Sequence, residues 1–269
     1  MGDILRGKTA VITGASSGLG KMLALDLARK SMNLVLASRN TGALHEIVSQ
    51  LENSGSNVLV QPTDVTDCAQ CKVMIDRAIG EFGQIDYLIL NAGISMWIRF
   101  DEIVDIAILQ KVMDTNYFGA VNCIFPALPY LRENRGAIVA ISSAQAVIGV
   151  SHHTGYSASK HALKGFLEAL EFEVGDEINI LNVMPGWIRD TNLRMNAFVG
   201  GGTSSRATPK HDNQAVSLQE CSDKIISAMR KRRREIYIPS KLKALPWLRV
   251  IAPRWMKLLI KRAMNKQSR

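Results

Sequence analysis

An apolar run, Lys8-Thr-Ala-Val-Ile-Thr13, passes straight into Gly14-Ala-Ser-Ser-Gly18-Leu-Gly20, then into a helical pattern of Met22, Leu23, Leu25, Leu27 and Ala28. A buried strand, a glycine turn and a helix in this order constrain the fold more than any other feature of the chain. Glycines let the backbone turn tightly and approach a bound group. The helix start that follows offers free N–H groups and a positive dipole end, which together suit a pyrophosphate. The spacing is G-x-x-x-G-x-G, and Gly14, Ser16, Ser17, Gly18, Leu19 and Gly20 are the candidate contacts.

The alternation continues. Asn33–Ser38 reads as a second strand, 42–54 as a helix, Val58–Val60 as a third strand and 69–82 as a helix. Ile85–Leu90 follows as a fourth strand. Strands alternating with helices of about a dozen residues predict an α/β fold with a parallel sheet, whose ligands lie beyond the carboxyl ends of its strands. Three groups fall at such ends: Arg39, then Asp64 with Val65, then Asn91-Ala92-Gly93. An acid at the end of the second strand would bind a ribose 2′-hydroxyl. Arg39 stands there instead and suits the 2′-phosphate of NADP, or else faces solvent at a strand end.

A later strand, Ala137–Ile141, ends in Ser142-Ser143, and Tyr156 and Lys160 follow. On a helix, a four-residue spacing stacks tyrosine and lysine one turn apart on one face. A neighbouring cation favours the phenolate and brings a weak acid towards the working range, while a serine hydroxyl steadies a carbonyl oxygen. The spacing alone arises too easily by chance to carry this reading. The surrounding motifs must carry it.

Taken together, Thr13-Gly14-Ala-Ser-Ser-Gly18-Leu-Gly20, Asp64, Asn91-Ala92-Gly93, Asn116, Ser143, Tyr156-x-x-x-Lys160 and Pro185-Gly186 resemble the short-chain dehydrogenase/reductase family in its compact branch. The resemblance covers residues 8 to about 238. It implies a Rossmann-like, doubly wound parallel sheet of about seven strands with helices on both faces, spanning 1–239. It also implies a homodimer or homotetramer and a catalytic set of Asn116, Ser143, Tyr156 and Lys160. Tyr156 would exchange the proton, Lys160 would assist it and bind the coenzyme, and Ser143 would hold the substrate oxygen. Asn116, within a long helix from Ile106 to Leu131, would hold a water that links Lys160 to solvent. Tyr156, Lys160, Pro185, Gly186, Ile188 and Thr191 join the coenzyme contacts, with NADP(H) preferred over NAD(H). The family's threonine four residues after the Pro-Gly glycine is Asp190 here, and Thr191 follows it. Ser17 stands where NADP-preferring members often carry a base, so Arg39 argues for NADP alone.

The connection from Trp187 to Ser217 contains Met195, Phe198, Val199 and Gly200–Ser205, and its length suggests a lid or binding loop. Met96, Trp97, Ala144, Val147 and Ile148 are either pocket lining or core. His152 and His153 are not needed as acid–base groups beside Tyr156. The substrate is expected to be a hydrophobic ketone or secondary alcohol, lipid or steroid-like. The alternatives are a 3-ketoacyl thioester, or an idle adaptor that keeps only the fold.

Composition bears mainly on the tail. Residues 229–269 hold 14 of the 33 Lys and Arg and a single acid, Glu235, while the rest of the chain carries 19 bases against 23 acids. Ser217–Glu220 reads as a capping box, and Ile236–Ile238 as the last edge strand. Residues 240–269 then form a basic amphipathic helical extension. From Arg254, helical spacing puts Trp255, Met256, Leu259, Ile260, Ala263 and Met264 on one face, with Arg254, Lys257, Lys261 and Asn265 opposite. Peripheral contact with an anionic membrane and packing on a partner subunit both fit, and no nucleic acid is expected. No run of 18 apolar residues is present, and Met1–Arg6 lacks a signal-peptide pattern, so a cytoplasmic protein is expected, able to rest on a membrane face. Cys68, Cys71, Cys123 and Cys221 are read as reduced thiols, and no metal site is expected.

Overall fold

The computed structural model describes residues 3–52, 54–189, 191, 193, 197–199 and 215–265, with the side chains of 263–265 excepted. Asp190, Met195, Gly200–Ser205 and the side chains of Ala263, Met264 and Asn265, singled out above, lie outside these.

The elements run β1 (Thr9–Thr13), α1 (Gly18–Ala28), β2 (Asn33–Ser38), α2 (Thr41–Ser49), β3 (Val58–Pro62), α3 (Cys68–Phe82), β4 (Tyr87–Leu90) and β5 (Met96–Trp97). After these come α4 (Ala107–Met113), α5 (Gly119–Glu133), β6 (Ala137–Ile141), α6 (Thr154–Val174), β7 (Asn179–Pro185) and β8 (Phe198–Val199). The chain closes with α7 (Leu218–Arg230), β9 (Glu235–Ile238), α8 (Leu245–Ile251) and α9 (Pro253–Asn265). Seven strands form one parallel sheet in the order β3-β2-β1-β4-β6-β7-β9, the expected doubly wound architecture, with β9 at its edge.

Because both faces are covered, the central strands are apolar throughout rather than alternating. In β1, Ala10 and Ile12 pack with Leu23 and Leu27 of α1 and Ile225 of α7. Val11 turns to the other face, where Met74 of α3, Cys123 of α5 and Leu163 of α6 complete a second core. Ser217 accepts a hydrogen bond from the Glu220 N–H at 3.1 Å and so caps α7, while the Glu220 carboxylate turns to Lys224 instead of closing the box. The chain winds from β1 out to β3 and restarts on the other side at β4. Its crevice therefore opens at the carboxyl ends of β1 and β4.

Two details differ from the sequence reading, and a third settles an alternative it left open. The helix read from Ile106 to Leu131 is interrupted by a π turn at Asp114–Phe118, centred on Asn116. One extra residue in that turn swings Asn116 under the β4–β5 loop. Met96 and Trp97 form a two-residue ribbon with Phe198 and Val199, a pairing too short to register in any pattern. Met96 packs with Ile98, Ile108, Val112 and Tyr156, and Val147 packs against Met256, so both are core, whereas Ala144 and Ile148 line the crevice.

Candidate active site

The crevice is a cavity of about 750 Å³ along the carboxyl edge of the sheet. Its first wall is the turn between β1 and α1. Gly14 has φ +62°, and a Cβ there would lie 2.8 Å from the Ala92 Cα. At Gly20 a Cβ would lie 2.4 Å from the Gly14 carbonyl oxygen, so only glycine lets α1 seat against the turn. Asn91 fastens this wall to β4. Its Nδ2 donates to the carbonyls of Thr13 and Gly14, both at 3.0 Å, and Thr13 Oγ1 accepts from the N–H groups of Asn91 and Ala92. The donors of the Asn91 carboxamide are thus spent on the scaffold. Ser17 makes no side-chain cap on α1, which leaves the first N–H groups of the helix to an outside acceptor beside Gly18 and Leu19.

At one end of the cavity lie Ser38, Arg39, Thr63, Asp64 and Val65. Ser38 Oγ donates to Ser16 Oγ at 2.8 Å, and Arg39 Nη1 stands 3.6 Å from Asp64 Oδ2. Burial of the Asp64 carboxyl opposes ionisation. The N–H and hydroxyl of Thr66, helped by Arg39, outweigh it and hold the group below the ordinary carboxylate range.

At the other end, β6 delivers Ser142 and Ser143, and α6 delivers Tyr156 and Lys160 on one face. Ser143 Oγ accepts from the Gln145 N–H at 3.1 Å. Lys160 is buried. Its Nζ donates to the Ile141 carbonyl at 2.9 Å and lies 5.8 Å from the Tyr156 ring centroid, and burial pulls its pKa down from 10.5 to about 8. Asn116 does not line the large cavity but buttresses it from behind. Its Oδ1 accepts from the Ile94 N–H, and its Nδ2 donates to the Ile94 carbonyl and to Ser159 Oγ, which in turn donates to the Tyr156 carbonyl.

Of the catalytic and coenzyme-binding residues expected from sequence, the cavity gathers all except Asn116 and Gly20, both of which support it from behind, while Met96, Trp97 and Val147 do not line it. Pro185, Gly186, Ile188 and Thr191 complete the far wall. Several residues assigned no role at the site from sequence also line it. The Ser142 hydroxyl is buried at the cavity with no hydrogen-bond partner among the described residues. Gln145, fixed by a 2.8 Å bond from Ser157 Oγ, also lines the wall, as do His153 and Trp187. Leu242, Leu245, Leu259 and Ile260 of the tail form part of the same lining. The amphipathic pattern of α9 was visible in sequence, but not what it would cover.

The short chain dehydrogenase model matches residues 8–199. The chain belongs to that family. It is therefore an oxidoreductase built to use a nicotinamide coenzyme. It is 34% identical over 255 residues to 11-beta-hydroxysteroid dehydrogenase 1A of Arabidopsis thaliana, covering 93% of this chain and 73% of that one. The identity is 33% over 259 residues with 11-beta-hydroxysteroid dehydrogenase A of Arachis hypogaea, covering 94% and 74%. Among solved structures, a short chain dehydrogenase/reductase from Burkholderia phymatum in complex with NAD superposes with a TM-score of 0.78 at 25% identity, over 91% of this chain and 93% of that one. An alcohol dehydrogenase from the archaeon Thermococcus sibiricus complexed with 5-hydroxy-NADP gives a TM-score of 0.74 at 22% identity, over 86% and 96%, a likeness of fold.

Proposed function

We propose that this dehydrogenase interconverts a lipophilic ketone and its secondary alcohol, with NADP(H) as coenzyme. The observation that carries the reading is the buried pair of Tyr156 and Lys160 facing a cavity whose far half is apolar. Ala144, Ile148, Val150, Phe198, Leu245 and Ile260 line that half. The hydroxysteroid dehydrogenase names of the relatives accord with a steroid-like or other lipid carbonyl.

The residues fit the coenzyme. The cradle of Gly14, Ser16, Ser17, Gly18 and Leu19 has room for a pyrophosphate and, among the described residues, no side chain caps the helix start, and Asp64, Val65, Ala92 and Gly93 would border adenine and its ribose. Arg39 would meet the 2′-phosphate. Its exposed ion pair with Asp64 is worth about 0–1 kcal/mol and yields readily to a stronger anion. Pro185, Gly186, Ile188 and Thr191 would flank the nicotinamide, which when bound supplies or accepts the hydride.

Tyr156 gives its phenolic proton to the carbonyl oxygen in reduction and takes it back in oxidation. Ser143, whose oxygen already accepts from Gln145, keeps its O–H to hold the same substrate oxygen. Lys160, cationic at neutral pH, stabilises the phenolate and receives the coenzyme ribose. The Asn116 carboxamide is engaged by Ile94 and Ser159, so a relay water behind Lys160 would rest on the backbone of the π turn rather than on this side chain. Exposed Phe118, Phe125 and Phe172 support assembly as a homodimer or homotetramer.

Coenzyme titration followed by a carbonyl panel tests the reading. NADPH oxidation with lipophilic ketones is expected. Turnover confined to carrier-bound 3-ketoacyl thioesters would replace the substrate class, and no turnover with any carbonyl would leave an adaptor.

A further inference from the structure

The basic tail folds back over the substrate end of the cavity. Met256 and Ile260 of α9, with Leu245 and Leu248 of α8, pack on Val147, Ile148 and Val150, and Arg249 donates to the Val147 carbonyl at 2.8 Å. The outer surface of the same helices is also apolar. Trp247 is 68% exposed, Val250 79%, Ile251 74% and Trp255 66%. Leu259 belongs to both surfaces: it lines the cavity and is 48% exposed. From Lys241 onward the chain holds nine Lys and Arg and no Asp or Glu.

We infer that α8 and α9 are a docking surface for an anionic lipid bilayer, placed so that a bilayer-dissolved substrate enters the cavity past Leu259. This rests on the oxidoreductase reading above for its substrate, but not for its docking. Large apolar side chains mixed with cations, without one acid, match the interfacial zone of an anionic membrane, where tryptophan rings and basic side chains both rest. A protein partner fits less well, because the cores of protein interfaces are depleted in lysine. Two tails meeting across a two-fold axis would set nine cations against nine. Among the described residues no helix is long and apolar enough to cross a membrane, so the contact is peripheral. The surface and the lining share one pair of helices. Docking therefore turns the rim of the cavity towards the hydrocarbon.

The test uses the full chain, its W247E/W255E variant and its K257E/R262E variant, none of these residues lining the cavity. Flotation with vesicles of phosphatidylcholine alone, or with about one third phosphatidylglycerol, reads docking. The wild type is expected to float with the anionic vesicles and to be released by 0.5 M salt. W247E/W255E is expected to stay in solution, and K257E/R262E, which replaces two cations with anions, should partition at least roughly 30-fold more weakly. A second arm follows NADPH oxidation with a ketone dissolved in the vesicles and with a water-soluble one. W247E/W255E should lose vesicle-stimulated turnover and keep the soluble reaction. Equal flotation of wild type and W247E/W255E would overturn the proposal, and so would a wild-type dimer that this variant converts to monomer without any vesicle binding. Vesicle binding with turnover that tracks only the aqueous ketone would overturn the entry route. A protein that floats but oxidises NADPH with no carbonyl would refute the oxidoreductase reading and leave the docking surface standing.

Discussion

Replacing Lys160 with Met should separate the two effects proposed for this lysine, on the rate and on stability. Its Nζ lies 5.8 Å from the Tyr156 ring centroid. With the phenolate charge taken at the ring centroid and an effective dielectric of about 20, the cation stabilises it by about 3 kcal/mol, which corresponds to about 100-fold in rate. The K160M variant should therefore reduce its best ketone about 100-fold more slowly. The same burial that makes this charge effective opposes folding. The Lys160 pKa is about 8 in the native state against 10.5 ordinarily. Below pH 8 the lysine is protonated folded or unfolded, and the burial penalty is present in full. Between pH 8 and 10.5 the unfolded chain holds more protons, so stability rises with pH, by about 3 kcal/mol in total. Urea unfolding of wild type and K160M across pH 7–11 reads the difference directly, since other titrating groups cancel. Wild type should gain on the variant over that window, and its reduction rate should fall above pH 8 on an arm that K160M lacks. Parallel stability curves, or a variant within threefold of wild-type turnover, would refute the argument.

Other perturbations test the coenzyme wall. Arg39→Ala should raise the Kd for NADPH at least about tenfold and leave NADH within about twofold, as read by coenzyme fluorescence. Asn91→Ala removes two hydrogen bonds to the Thr13 and Gly14 carbonyls, and should cost about 1–3 kcal/mol in urea unfolding together with weaker binding of both coenzymes. Gly20→Ala places a Cβ 2.4 Å from the Gly14 oxygen, and should abolish coenzyme binding at temperatures where circular dichroism still shows a folded chain.

The sheet was legible because its signals are local and repeated. Apolar runs such as Ala137–Ile141 alternate with helical periods, and six of the seven strands stand out in this way, Asn179–Pro185 being the one not read. The residues of the cavity were legible for a related reason: they stand at strand ends, and the parallel sheet brings strand ends together. What escaped was non-local or one residue in size. The π turn at Asn116 adds a single residue to a helix whose periodicity barely changes. Asn91 and Asn116 could be placed near the site, but their carboxamides serve backbone carbonyls and N–H groups across the fold, which no spacing announces. The same holds for α9. An amphipathic period shows that a face is apolar, and not that Met256 will find Val147 more than a hundred residues earlier.

The central claim is that Tyr156 moves the proton. Single-turnover reduction of the best ketone by the NADPH-loaded Tyr156→Phe variant, followed by coenzyme fluorescence, addresses it most directly. The phenyl ring keeps the contacts with Met96 and Ile108 and loses only the hydroxyl. NADPH should bind within about threefold of wild type, while the reduction rate falls about 10³-fold. A variant that binds NADPH and reduces the ketone within tenfold of wild type would contradict the account.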